Sequence, residues 1–235
     1  MTPPNSAGAA RALAVRGMFS AVAPRYDLMN RLMTGGMDIS WRKEVIRRAA
    51  LTPASHLLDL GAGTGDLARE ALHQQPACRV TAGDFTLEMM LVGKKNYAAP
   101  SVWTGADALN LPFPDASFDA IVSGFLMRNV VDLERALSEQ RRVLRPGGRF
   151  VCLDTTRPGK TILTPFIQFH MRRVIPFLGS LLSRDPSAYV YLPETSEHFL
   201  SAEELLARID AAGFAQTGFR RVNFGTVAIH WGQKQ

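Results

Sequence analysis

Cysteine is almost absent: the 235 residues include only Cys78 and Cys152. Two thiols cannot build a metal cluster alone, and a disulfide framework needs more of them. No metal site is expected, and a reducing cytoplasm is the expected compartment. Long apolar runs are missing too. None reaches the roughly 18–20 residues that span a bilayer, and the opening stretch MTPPNSAGAARALAVRG lacks the apolar segment of a signal peptide. No repeat or low-complexity tract stands out. One long segment lacks acid: residues 155–184 hold Arg157, Lys160, Arg172, Arg173 and Arg184 and no Asp or Glu.

What is present describes a soluble protein with a full-sized core, 46% hydrophobic and 20% charged. The net charge of +6 is uneven. Residues 1–50 and 155–184 each carry +5, whereas 51–154 and 185–235 each carry −2. Such a pattern argues against a nucleic-acid coat and asks what the two basic segments face.

From residue 56 the pattern alternates strands and helices. Strands are expected at His56–Leu60, Arg79–Asp84, Ser101–Thr104, Phe118–Ser123 and Arg149–Asp154. Helices are expected at Leu67–Gln74, Thr86–Tyr97 and Leu133–Leu144, the last capped by Asp132 and stopped by Pro146-Gly147-Gly148. This order implies an α/β fold with a mostly parallel sheet covered on both faces. Ser201 and Glu204 form a capping box for a helix through Ala212. Phe219–Asn223 and Thr226–Trp231, joined at Phe224-Gly225, then read as an antiparallel pair. Residues 1–50 read as a helical cover, with two helices over 11–50 broken near Thr34-Gly35-Gly36, and 51–154 as the core. Residues 155–200 read as an insertion, and 201–235 as a C-terminal helix and strand pair, all within one domain.

LLDLGAGTGD (57–66) is the most informative stretch. Gly61 and Gly63 let backbone approach a ligand closely, and Asp84 ends the next strand where a carboxylate would meet ribose hydroxyls. Asp66 stands where a dinucleotide motif needs its third glycine, and no lysine follows for a phosphate loop. The acids Asp59 and Asp66 suit a cationic ligand such as S-adenosylmethionine. Asp107 is either an acceptor for an adenine amine or a turn residue capping its own backbone.

These residues, with DALNLPFPDASFD (107–119) and RRVLRPGGRFVCLD (141–154), resemble the Rossmann-like S-adenosylmethionine-dependent methyltransferases. FSAVAPRYDLMNRLM (19–33), FLMRNV (125–130), YVYLPETSEHF (189–199) and FGTVAIHWG (224–232) are similar to the signatures of the ubiquinone/menaquinone biosynthesis C-methyltransferase family. That resemblance implies a prenylated quinol acceptor. It also implies cofactor contacts from Gly61, Gly63, Thr64, Asp84, Phe85, Met89, Asp107 and Ala108, and from Tyr26 closing over the cofactor. Gly124 stands where many members have serine. Leu126-Met127, Leu153-Asp154-Thr155-Thr156 and Phe224-Gly225-Thr226 depart from the family's usual residues on the acceptor side.

A carbon acceptor needs its phenolic proton removed and a nucleophile aligned with the methyl. Arg128 and Asn129, after the fourth strand, are read as stabilising a phenolate or orienting a water. Arg128 reads alternatively as an ion-pair partner of Asp132 or Glu134. Asp154 reads as a proton acceptor or, equally, a loop anchor. Tyr189, Tyr191, His170 and His198 are further acceptor-side candidates. The apolar, cationic stretch 157–184 reads as a helical lid, as a contact with anionic lipid, or as both. A homodimer stays open, as do another small-molecule acceptor and a non-catalytic assembly role. Nucleic acid is not expected as a partner.

Overall fold

The computed structural model describes residues 6–96, 102–157, 173 and 199–235. Tyr189, Tyr191, His170, His198 and nearly all of the stretch 157–184 lie outside the described residues.

The cover comprises three helices rather than two: α1 (Ser6–Val22), α2 (Tyr26–Thr34) and α3 (Met37–Ala49). Pro24 lacks an amide hydrogen and stands in a short 3₁₀ turn, Ala23–Arg25, which parts α1 from α2. The second break falls at Gly35 and Gly36, both left-handed, as the sequence indicates.

Strands β1 (His56–Leu60), β2 (Arg79–Asp84), β3 (Val102–Gly105), β4 (Phe118–Gly124) and β5 (Leu144–Thr155) run parallel. Between them stand α4 (Asp66–Gln74), α5 (Leu87–Asn96) and α6 (Leu133–Val143). After α7 (Ala202–Ala211) come β6 (Phe214–Val222) and β7 (Val227–Lys234), and the sheet order is β3-β2-β1-β4-β5-β7-β6. Strand β7 is antiparallel to both of its neighbours.

The period of two sorts the core into layers. Leu58, Leu60, Ile121, Phe150 and Cys152 pack with Leu137 of α6 and Leu205 and Ile209 of α7. Leu57, Val80, Val122, Val151 and Leu153 pack with Trp41, Val45 and Ile46 of α3 and Leu67 and Ala71 of α4. Caps fall where the sequence put them. Asp132 Oδ1 accepts from Arg135 N at 2.9 Å, and both capping-box bonds of Ser201 and Glu204 form. The fifth strand starts earlier than expected, because pairing jumps from Phe118↔Leu144 to Ala120↔Arg149 and lets Pro146-Gly147-Gly148 bulge out.

Candidate active site

β1 delivers the chain into a turn where Gly61, Gly63 and Gly65 all have positive φ (68°, 57° and 85°). The end of β2 holds this turn from the side. Gly61 N and Ala62 N both donate to the Gly83 carbonyl, at 2.8 and 3.1 Å. Gly63 N donates to Asp84 Oδ2 at 2.7 Å, and Thr86 N to Asp84 Oδ1 at 2.7 Å. Burial pushes the Asp84 carboxyl above its ordinary pKa, against these amide bonds. A Cβ on Gly63 would stand 3.1 Å from Met89 Cε of α5, so glycine there lets the turn lie close against that side chain.

Beside the turn, at the carboxyl ends of the strands, opens a cleft of about 920 Å³, its mouth included. Tyr26, Gly61, Gly63, Asp84, Phe85, Met89, Asp107, Ala108 and Gly124 line it, as does Asn129. Asp107 caps its own turn, its Oδ1 accepting from Leu109 N at 2.9 Å, and it also lines the cleft.

Three residues read as site residues are not among those lining this cleft. Thr64 is buried, and its hydroxyl donates to Asp27 Oδ1 at 2.6 Å, a bond to the cover. Arg128 and Asp154 are a buried pair at 2.7 Å. Asp154 is 1% exposed and takes further bonds from Arg128 N and Thr155 N. It is therefore an anchor for the loop after β4, and the reading as proton acceptor at the cleft does not fit its position.

That loop is strained. Phe125 has φ of 60°, costly for a residue with a side chain. Its N–H donates to the Leu153 carbonyl at 2.7 Å, and its carbonyl accepts from Arg128 Nη1 at 3.2 Å and Asn129 Nδ2 at 2.8 Å. The adjacent Arg and Asn thus grip one peptide and fix the cleft wall. The Tyr26 phenol, though raised in pKa by burial, is drawn downward by the Arg128 charge.

The cover supplies lining that the sequence did not reveal. Val15, Arg16 and Phe19 of α1 face the cleft. The Arg16 guanidinium lies 5.8 Å from the Phe85 ring centroid, and Ser20 Oγ donates to Glu88 Oε2 of α5 at 2.9 Å. The acids beside the turn also differ from expectation. Asp66 is neutralised by Arg42, at 2.7 Å, and by Arg69. Asp59 is 1% exposed, accepts from Ala68 N at 2.9 Å, and is raised by burial to about 7.

A sheet that is parallel except for the reversed strand β7, and a glycine turn paired with an acid at the end of β2, define a class: the Rossmann-like S-adenosylmethionine-dependent methyltransferases. Solved structures share the fold at low identity. The [4+2]-cyclase SpnF superposes with a TM-score of 0.68 at 18% identity, covering 94% of each chain. Phosphoethanolamine N-methyltransferase 2 of Haemonchus contortus, solved with S-adenosyl-L-methionine, gives 0.62 at 15%, covering 83% of this chain and 52% of that one. A sequence model of the ubiE/COQ5 methyltransferase family matches residues 6–234, and the chain belongs to that family. It is 45% identical to a ubiquinone/menaquinone biosynthesis C-methyltransferase of Desulfotalea psychrophila, over 94% of this chain and 90% of the relative. It is 42% identical to a demethylmenaquinone methyltransferase of Thermus thermophilus, over 92% of this chain and all of the relative.

Proposed function

We propose that the protein methylates a ring carbon of a prenylated quinol, demethylmenaquinol or a ubiquinol precursor, at the expense of S-adenosylmethionine. The observation that carries this reading is the 42% identity to a demethylmenaquinone methyltransferase across that protein's whole length.

The cleft fits the cofactor. Asp84 and Asp107 offer acceptor oxygens for ribose hydroxyls and an amine, Met89 and Ala108 an apolar wall, and Gly63 a floor without a side chain. S-adenosylmethionine supplies an electrophilic methyl on a sulfonium. The residues of this chain position and polarise. Asn129 and the peptide it grips fix the wall where a phenolic ring would lie. Arg128, paired with Asp154, holds the Phe125 peptide that forms this wall. The phenolic and ring protons pass to water at the mouth.

The acceptor's prenyl chain belongs in a bilayer, and the surface around the cleft suits contact with one. Leu13, Leu28, Leu32, Met37 and Ile39 of the cover stand exposed, as do Phe85, Leu87 and Leu91 beside the cleft. Arg25, Lys43 and Arg47 of the cover are also exposed, Arg47 while paired with Glu44. Apolar and cationic groups together favour an anionic lipid surface. No helix among the described residues is long and apolar enough to cross a membrane.

The direct test incubates the protein with labelled S-adenosylmethionine and reduced demethylmenaquinone or a demethylated ubiquinol precursor, followed by mass analysis. A methylated product from either is expected, and none from both overturns the reading. Co-sedimentation with anionic vesicles, stronger than with neutral ones, tests the lipid contact; equal or absent binding refutes it.

A further inference from the structure

We infer that Asp27 and Arg42, on the helical cover, are positioning residues that hold the glycine turn in its cofactor-binding shape. Neither lines the cleft, and each grips the turn from outside. Asp27 of α2 accepts from the Thr64 hydroxyl at 2.6 Å. Arg42 of α3 reaches Asp66 Oδ2 at 2.7 Å, on the first residue of α4. The two grips flank Gly65, whose φ is 85°.

Arg42 is itself fixed from behind. Its other nitrogen pairs with Asp38, which is 1% exposed and held further by Arg31 at 2.5 Å and by the Thr34 hydroxyl at 2.9 Å. A chain of groups thus runs from α2 through Asp38 and Arg42 to the start of α4. Buried ion pairs are poor stabilisers, because desolvation offsets their attraction, and their clearer effect is to fix where groups stand. A turn with three left-handed glycines has much backbone freedom to lose, so fixing it beforehand lowers the entropic cost of binding. Tyr26, adjacent to Asp27, faces the cleft. One turn of α2 therefore supplies both a wall of the cleft and a pin for its floor.

The inference rests on the cofactor lying at this turn, and the experiment separates the two. Binding of S-adenosylhomocysteine is measured by calorimetry for Asp27→Ala, Asp27→Asn, Thr64→Val, the Asp27→Ala/Thr64→Val double variant, Arg42→Lys and Asp84→Ala. Amide exchange at residues 62–66 and thermal midpoints are recorded alongside. Asp27→Ala and Thr64→Val are each expected to weaken binding about tenfold, as for loss of a charge-assisted hydrogen bond, and to speed exchange at 62–66. The double variant loses no more than either single, because both remove one bond. Asp27→Asn keeps an acceptor and recovers part of the loss. Arg42→Lys keeps the charge but not the fork that spans Asp38 and Asp66, so it weakens binding while the protein stays folded. Native affinity in Asp27→Ala and Arg42→Lys overturns the inference, as does a lowered midpoint with unaltered exchange at 62–66. Native affinity in Asp84→Ala instead refutes the placement of the cofactor.

Discussion

Gly93 of α5 lies so close beneath Thr64 that a Cβ on it would stand 2.7 Å from the Thr64 carbonyl oxygen and 2.5 Å from the Trp103 ring. The helix can approach the glycine turn only because that side chain is missing. Gly93→Ala must displace the turn, the helix or Trp103. Overpacking of this kind costs about 1–3 kcal/mol, partly offset by alanine's better helix propensity. The variant should unfold at a lower denaturant concentration and bind S-adenosylhomocysteine more weakly. A midpoint at or above that of the native protein, with native affinity, would show that the contact relaxes freely.

Arg128 and Asp154 should behave as one unit. Removing Arg128 strands a carboxylate that is 1% exposed, and breaking such a pair costs about 3–5 kcal/mol. Arg128→Met is therefore expected to lose stability as well as turnover, and Asp154→Asn to lose less. Chemical denaturation of both variants beside their methylation rates checks this. Full stability of Arg128→Met would mean that the pair does not anchor the loop.

Arg16 should matter for cofactor retention. Its guanidinium sits over Phe85 at the rim of the cleft, a contact worth about 0.5–1 kcal/mol where exposed. Arg16→Ala, which removes that contact and part of the cleft lining, should weaken S-adenosylhomocysteine binding. Calorimetry showing native affinity would remove α1 from the cofactor site.

Asp59 predicts a pH dependence. Burial raises its carboxyl from 3.8 to about 7, with Asp84 and Asp66 adding in the same direction and the Ala68 amide and Arg42 opposing. Between those values the folded protein holds a proton that the unfolded chain has released. Stability from this group is full below about pH 4 and is lost as pH rises through about 7. Burial of His230 lowers its pKa from 6.5 and so acts oppositely, with stability lost as pH falls below that value. The difference between native protein and Asp59→Asn isolates Asp59. Thermal midpoints from pH 4 to 8 should show the native protein losing stability relative to Asp59→Asn as pH rises. A constant difference would contradict the buried, protonated carboxyl.

Local signals carried most of the core. The alternation of strands and helices, the Asp132 cap, the Ser201–Glu204 box and the glycine turn depend on neighbours in sequence, and they stand where the residues put them. The cover was harder to read. Pro24 made a break that helical periodicity hides, and Pro146-Gly147-Gly148 ended a helix in sequence but forms a bulge inside β5. Of the candidate site, the glycine turn, Asp84 and Asp107 were legible because motif and spacing mark them. The partners of Thr64, Arg128 and Asp66 were not. Asp27 and Thr64 are 37 positions apart and Arg128 and Asp154 are 26 apart, so only the packed fold decides that those hydroxyls and charges meet each other and not a ligand.

The placement of β7 between β5 and β6 governs how the protein folds. In the cofactor half β2 joins β1, β3 joins β2 and β5 joins β4 across short crossovers, while β4 returns to β1, Leu57 meeting Ala120. The other half closes only when Thr155 meets Val227 and Arg149 meets Gln233. Pairings that distant form slowly, because chain entropy must be surrendered before contacts reward it. Until they form, β5 carries an open edge. Arg149, Asp154 and the Phe125–Leu153 bond all lie on or against that edge strand, so the wall of the acceptor side matures last. Folding followed by amide exchange should protect β1 and β2 before β5 and β7.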